Sequence, residues 1–459
     1  MHIFVLETFI KRFLFCWFMT IFKAYDIRGV YGGELTAEHA YNIGRAFVSF
    51  LAAKTVVVGR DMRSSGEELN EALLRGLTEA GAKVIDIGVV STPMVYFACG
   101  TLQVDGSIMI TASHNPAAYN GFKMTREDAI PISGDTGIRD IERRVRDGDF
   151  ITAGSAGTVE KKDMQTAYKR HVLSFVHGVK GKKIVVDAAN GMGGLETKKI
   201  LSGIGCKIIE MYTDLDGRFP NHEADPLREE NTAALQKRVV KEKADLGIAF
   251  DGDADRVFFV DEKGNRVPSD FITCLIAQDI LADKQGETFL YDLRSSRIVA
   301  EIIEQDGGTA HMSRVGHAFI KEQLRREKAV FAGELSGHFY FKDNYYTDSA
   351  IIAALKVIEL LCRKDELLSS LVSHLHVYFH SGEINSKVLD VEKVMDALRS
   401  HYESGVPSSL DGLRIDFDEW WFNVRASNTE PLLRLNVEAA TKEMLDEKKK
   451  ELLKIIRSE

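Results

Sequence analysis

Three stretches of this chain repeat one order of events: a β-branched run, a polar loop, an amphipathic helix, a glycine stop and a second short apolar run. The first goes from Thr55-Val56-Val57-Val58-Gly59-Arg60-Asp61 through a predicted helix over 66–80 and Gly81 to the run Lys83–Ile87. The second goes from Lys183–Asp187 through Asn190-Gly191-Met192-Gly193-Gly194 and a helix reaching about Leu201 to Lys207–Met211. The third goes from Phe289–Asp292 through Arg294-Ser295-Ser296-Arg297 and a helix reaching Gln305 to Thr309–Met312. A strand feeding a helix that returns to a parallel strand, in about 30 residues, is the building unit of an α/β layer. The repeats start far apart, so they predict three related α/β domains rather than a solenoid, whose repeats would be contiguous.

From about His376 the pattern changes. A strand over Glu383–Val388, a helix over Val391–Tyr402, strands over Leu413–Phe417, Trp420–Val424 and Leu432–Glu438, and a charged last helix predict a smaller α+β domain. The expected division is 19–158, 159–261, 262–376 and 377–459. The fold class is therefore α/β: three related domains of mixed sheet and a smaller α+β C-terminal domain. Residues 1–18 are rich in Phe, Ile and Leu but lack a small-residue cleavage site, and Met19 precedes the strand-like Thr20–Ala24. We expect Met19 to be the native start and 1–18 to be a non-native or disordered extension.

The formal net charge is −9, against the basic balance of most nucleic-acid binders. No apolar run approaches the roughly 18 residues of a membrane span. The five cysteines, Cys16, Cys99, Cys206, Cys274 and Cys362, are odd in number and widely spaced. They read as reduced thiols of a cytoplasmic protein. We therefore expect neither nucleic acid nor a membrane among its partners.

Two polar loops, each following an apolar run, carry chemistry. Thr111-Ala112-Ser113-His114-Asn115-Pro116 sets a hydroxyl beside an imidazole in a turn closed by proline. A serine hydroxyl needs a base or a charge to become a nucleophile, and His114 and Lys123 are near in sequence. Asp251-Gly252-Asp253-Ala254-Asp255-Arg256 alternates carboxylates that can converge on a hard cation. Arg256 is placed to clamp a phosphate or the substrate. An EF-hand is disfavoured because Arg256 stands where its glycine is needed. A haloacid-dehalogenase-type phosphatase is disfavoured because its Asp-x-Asp motif usually lies near the N-terminus. Together the two loops suggest phosphoryl transfer through a serine, with Mg²⁺ neutralising the phosphate.

A third loop, Gly333-Glu334-Leu335-Ser336-Gly337-His338, offers an acceptor and a hydroxyl suited to adjacent sugar hydroxyls. A fourth, Arg425-Ala426-Ser427-Asn428-Thr429-Glu430-Pro431, gathers side-chain donors suited to a phosphate. Tyr25-Asp26-Ile27-Arg28-Gly29 and Gly59-Arg60-Asp61-Met62-Arg63 add arginines that structural ion pairing would also explain. Asn190–Gly194 lacks the lysine of a P-loop and reads as a turn of the second domain.

With its four loops in this order, the chain from about Phe22 onward resembles the α-D-phosphohexomutase family, in its bacterial phosphomannomutase/phosphoglucomutase branch. The resemblance implies four domains around a central cleft and a resting phosphoserine at Ser113. It implies Mg²⁺ held by Asp251, Asp253, Asp255 and the phosphoserine. Glu334 and Ser336 would hold sugar hydroxyls, and Arg425, Ser427, Asn428 and Thr429 the non-reacting phosphate. Tyr25 and Arg28 match a segment near the phosphoserine, Lys123 and His114 match acid/base candidates, and His317 and His338 match cleft histidines. Arg294 stands where relatives often carry a substrate-contacting lysine, which changes the geometry of that contact. Leu335 and Asn428 depart from the phosphoglucosamine branch, which is the nearest alternative. The implied reaction is interconversion of hexose 1- and 6-phosphates through a 1,6-bisphosphate, with glucose 1,6-bisphosphate as activator and a hexose phosphate as partner, in a monomer or dimer. A sugar-phosphate phosphatase and a non-catalytic sugar-phosphate binder are the readings from other classes.

Overall fold

The computed structural model describes residues 21–426 and 432–457. The expected start at Met19 and the extension before it lie outside the described residues, as do Ser427, Asn428 and Thr429. The chain divides into two compact units: one runs through Val267 and includes Ser336–Leu368, and the other holds Pro268–Leu335 and the chain from Ser369 onward.

The first unit contains two mixed sheets. One is built from β1 (Ile27–Val30), β2 (Thr55–Arg60), β3 (Lys83–Val89), β4 (Gly106–Ile110), β5 (Tyr119–Arg126) and β6 (Val159–Lys161), in the order β1-β5-β4-β2-β3-β6. β2, β3, β4 and β6 run parallel; at one edge β5 runs antiparallel to β4 and β1 antiparallel to β5. The Val56-Val57-Val58 run is wholly buried, as a strand covered on both faces must be. Helices Ala37–Leu51 and Gly66–Glu79 pack together on this sheet, and Thr36 caps the first of them through a capping box with His39.

The second sheet holds β7 (Lys183–Asp187), β8 (Lys207–Met211), β9 (Leu246–Phe250), β10 (Val257–Val260) and β11 (Arg266–Val267), in the order β11-β10-β9-β7-β8. β8, β7 and β9 are parallel, whereas β9 turns back antiparallel into β10 through the acidic loop. Helix Ala350–Lys364, capped by Ser349, lies against β9 and β10. Through these contacts residues 336–368, part of the stretch expected as the third domain, pack within the first unit.

In the second unit β12 (Thr288–Asp292), β13 (Thr309–Ser313) and β14 (Phe331–Gly333) form a parallel set with β12 central. β15 (Phe339–Phe341) and β16 (Thr347–Asp348) are an antiparallel pair in the first unit. The C-terminal sheet is antiparallel throughout: β17 (Phe379–His380), β18 (Ile384–Lys387), β19 (Val406–Ser408), β20 (Leu413–Asp416), β21 (Trp420–Ala426) and β22 (Leu432–Ala439). Helices Val391–His401 and Lys442–Ile456 bury Leu398, Leu445 and Leu452 against its inner face. This is the smaller α+β domain predicted above. The three repeats become the parallel pairs β2–β3, β7–β8 and β12–β13. The expected strand at the start of the described chain is an isolated bridge between Phe22 and Ile27 instead. No helix among the described residues is long and apolar enough to cross a membrane.

Candidate active site

β4 runs buried to Ile110 and delivers the chain into the serine loop. Ser113 sits at φ +50°, a left-handed conformation uncommon outside glycine. The turn is held by the Ser113 N–H donating to Thr111 Oγ1 at 2.8 Å and by the Asn115 N–H donating to Ala112 O at 3.0 Å. The result aims the buried Ser113 hydroxyl at Asp251, whose Oδ2 accepts from it at 2.8 Å. His114 Nδ1 lies 3.3 Å from the same oxygen.

The acidic loop joins β9 to β10. Asp251 Oδ1 accepts from the backbone N–H groups of Asp255 and Arg256, both at 3.1 Å, which curls the loop around that carboxylate. Thr92, in the first turn of helix Thr92–Thr101, donates through its hydroxyl to Asp253 Oδ2 at 2.5 Å. The turn after β7 supports the loop from behind, because the Met192 N–H donates to Gly252 O at 2.9 Å.

One carboxylate oxygen from each of Asp251, Asp253 and Asp255 falls within 4.8 Å of the others, and all three residues are buried. Among the described residues, Asp253 Oδ1 and Asp255 Oδ1 are buried and accept no hydrogen bond. Three buried carboxylates, two of them with an oxygen to spare, are a donor set suited to a hard divalent cation, so the residues fit Mg²⁺.

β5 brings Lys123 to the same place. Its Nζ donates to Asp253 Oδ2 at 2.7 Å and also to Asp255 Oδ2. Burial alone would lower the Lys123 pKa, but Asp253, Asp255 and Asp251 together raise it, so it stays an ammonium. Burial and the repulsion between carboxylates push Asp251 well above the usual range. Burial also acts on Asp255, but the Lys123 ammonium outweighs it and holds that carboxyl low. His114 is driven well below its ordinary value by burial and then by Arg256, Arg28 and Lys123, so it is a neutral imidazole near neutral pH.

Arg28, on β1 opposite Gly121 of β5, donates to Asn115 Oδ1 at 2.6 Å and pairs with Asp26. Tyr25 precedes it, half-buried. Arg256 Nε donates to His338 Nε2 at 3.0 Å, while His338 Nδ1 lies 3.0 Å from Asp348 Oδ2 and 3.8 Å from Asp255 Oδ1. A guanidinium only donates, so this arrangement assigns the lone pair to Nε2 and the proton to Nδ1. Ser336 is buried in the same unit.

The second unit carries the remaining candidates. Arg294 makes a double contact with Asp292, at 3.1 and 2.9 Å, and reaches Glu334 Oε1 at 3.4 Å. Asp292 Oδ2 also accepts the Leu335 N–H at 2.8 Å, so one buried carboxylate orients both Arg294 and the sugar-loop candidate Glu334. His317 opens helix His317–Glu327, half-buried. Arg425 donates to Glu383 Oε2 at 2.8 Å from the edge of its loop.

The structure thus brings together Ser113, His114, Lys123, Arg28, Asp251, Asp253, Asp255, Arg256 and His338. Separately, it joins Arg294 to Glu334. Sequence reasoning missed Thr92, Asp292 and Asp348. Ser91 and Thr92 before Pro93 are residue types that commonly open a helix, but nothing local points from Thr92 to Asp253.

Four family models match the chain in order. They are phosphoglucomutase/phosphomannomutase alpha/beta/alpha domain I over residues 19–152, domain II over 166–264, domain III over 268–378, and the C-terminal domain over 383–455. The chain belongs to the phosphoglucomutase/phosphomannomutase family. It is a phosphohexomutase.

A phosphomannomutase of Vibrio cholerae is 43% identical over 456 residues, covering 96% of this chain and 98% of that protein. A phosphomannomutase of Escherichia coli is 41% identical over 433 residues, covering 92% and 95%. The crystal structure of a phosphoglucomutase/phosphomannomutase family protein from Burkholderia thailandensis superposes with a TM-score of 0.89 at 34% identity, covering 95% of this chain and 97% of that one. The serine loop and the acidic loop, in direct contact through Ser113 and Asp251, lie within the spans matched to domains I and II.

Proposed function

We propose that this phosphohexomutase interconverts the 1- and 6-phosphates of mannose, glucose or both, with Ser113 carrying the phosphoryl group between turnovers and a 1,6-bisphosphohexose as intermediate. The observation that carries this reading is the 2.8 Å contact between Ser113 Oγ and Asp251 Oδ2. A seryl phosphate of charge about −1.5 to −2 beside three buried carboxylates calls for a cation. Asp251, Asp253, Asp255 and a phosphoserine oxygen would hold Mg²⁺, which would supply positive charge to the transferring group.

In the first half-reaction the bond from phosphorus to Ser113 Oγ breaks as one forms to the free hydroxyl of a hexose phosphate. Little covalent work falls to the protein in such a loose transition state; placement and charge do most of it. Lys123 and Arg28 contribute fixed positive charge. Neutral His114 would take the hydroxyl proton. The second half-reaction reverses these steps with the other phosphate of the bisphosphate. Glucose 1,6-bisphosphate would load a dephosphorylated enzyme directly, which makes it an activator.

Glu334 and Ser336 would hold the hydroxyls at C3 and C4. Glucose and mannose differ only at C2, so a site that reads those hydroxyls accepts both. Arg425, Ser427, Asn428 and Thr429 would hold the non-reacting phosphate, with Arg294, His317, Tyr25 and Arg256 as further contacts. We read the protein as cytoplasmic, a monomer or dimer, with four domains near the bounds expected above.

The test is incubation with glucose 1-phosphate, mannose 1-phosphate or glucosamine 1-phosphate, plus Mg²⁺ and a trace of the bisphosphate, while 6-phosphate and free phosphate are assayed. Formation of hexose 6-phosphate without phosphate release is expected. Net phosphate release would identify a phosphatase, preference for the glucosamine ester would move the protein to that branch, and full activity of Ser113→Ala would remove the phosphoserine.

A further inference from the structure

Arg63 is 1% exposed, and its guanidinium is spent almost entirely on the backbone of the serine loop. Nη2 donates to Ser113 O at 2.8 Å and to Asn115 O at 2.7 Å. Nη1 donates to Pro116 O at 2.8 Å and to Tyr119 O at 2.9 Å. Nε and the backbone N–H turn the other way, to Asp61 Oδ2 at 3.3 Å and Oδ1 at 3.0 Å. The ring of Phe219 covers the group, 5.2 Å from its central carbon.

An ion pair with Asp61 would satisfy the charge alone. It does not account for four bonds to carbonyls spread over 113–119. Those bonds begin at Ser113, the one residue of the loop held in a left-handed conformation, and continue along the segment that follows it. Such a conformation is strained and persists where the surroundings over-determine it. The guanidinium supplies that constraint. Its planar fork reaches carbonyls in two directions, which a lysine ammonium cannot imitate. It also meets with one positive charge the carbonyl dipoles of the loop that would carry a phosphate.

We propose that Arg63 is a positioning residue for phosphoryl transfer: it locks the Ser113–Tyr119 segment so that Ser113 Oγ faces Asp251. The inference rests on the reading of Ser113 as the phosphoryl carrier. It assigns Arg63 no contact with substrate.

The test uses the full chain as Arg63→Lys and Arg63→Ala, with Ser113→Ala as control. Loading of Ser113 by glucose 1,6-bisphosphate is followed by intact mass, alongside kcat, KM and thermal melting. We expect loading and kcat to fall about 100-fold in both Arg63 variants, the cost of a nucleophile displaced by about an ångström, while KM for hexose phosphate stays close to wild type. Methylguanidinium should restore loading in Arg63→Ala and leave Arg63→Lys unchanged. Wild-type loading by a folded Arg63→Lys overturns the proposal, and so does an equal rise in KM and fall in kcat/KM with kcat unchanged. If Arg63→Ala does not fold, amide hydrogen exchange of Arg63→Lys decides. Faster exchange confined to 113–119 supports the role, and unchanged exchange there refutes it. An active Ser113→Ala would sink the phosphoserine reading itself, whereas an inactive Ser113→Ala with normally loading Arg63 variants would sink this inference alone.

Discussion

Gly252 lies so close to Ser113 that a β-carbon built on it would stand 2.3 Å from the Ser113 carbonyl oxygen. The two chemical loops therefore meet backbone to backbone, and the absence of a side chain at 252 sets their separation. Gly252→Ala must push them apart. Overpacking of this kind costs about 1–3 kcal/mol, and a displaced nucleophile costs about 100-fold in rate. Melting temperature and kcat should both fall; a variant with wild-type kcat would show that the contact is slack.

Three carboxylates converging without a cation repel one another, and Lys123 offsets only part of that repulsion. Added Mg²⁺ should raise the melting temperature of the wild-type protein, by about 2.7 kcal/mol of stabilisation at a hundredfold excess over its dissociation constant. Chelation should reverse the rise and abolish turnover. Asp253→Asn removes a ligand, so its melting temperature should hardly respond. An equal response in that variant would place the cation elsewhere.

His338 is oriented by Asp348 on one side and Arg256 on the other. Asp348→Asn keeps the shape but withdraws the carboxylate facing Nδ1. Loss of such an orienting partner typically costs about 10- to 100-fold, and we expect it in kcat with KM little changed. Steady-state kinetics against both hexose 1-phosphates would expose a fall in KM-dependent binding instead.

Glu196 is buried in helix Gly193–Lys199, where it accepts a hydrogen bond from the Ser91 hydroxyl. Burial raises its pKa from 4.5 to about 7, against the opposing pull of Ser91. The folded chain keeps this proton where the unfolded chain has released it. Stability should therefore decline as pH rises from about 4.5 to 7 and level off outside that window, by about 3 kcal/mol at most. Glu196→Gln should flatten this dependence and melt higher than wild type at pH 8. Persistence of the slope in that variant would trace it to another group.

Local chemistry was readable in the sequence where it is contiguous. Thr111–Pro116 and Asp251–Arg256 announce a hydroxyl and a cation cage because each is a short polar run ending an apolar strand. The parallel pairs were readable for the same reason: Val56–Val58 and Lys83–Ile87 keep strand composition on either side of one helix. Strand β5 was not, since Tyr119–Arg126 mixes Asn, Gly and Lys among its apolar residues. Its polar positions are explained by partners far away, Lys123 by Asp253 and Asp255 and Asn120 by Ser65. Arg63 reads locally as the partner of Asp61, and that ion pair exists. Its four carbonyl acceptors lie 50 to 56 residues on, where no spacing rule reaches. Helix Ala350–Lys364 also packs its apolar face against β9 and β10, a long-range contact that no local pattern in the sequence announces.

The torsion at residue 113 also narrows which alcohols this turn tolerates. Threonine carries the same oxygen, but its branched carbon is poorly accommodated at φ +50°. The preference for serine here is thus imposed by main-chain rotation before reactivity enters. A homologue that kept this bend could vary its neighbours widely and still be confined to an unbranched hydroxymethyl group.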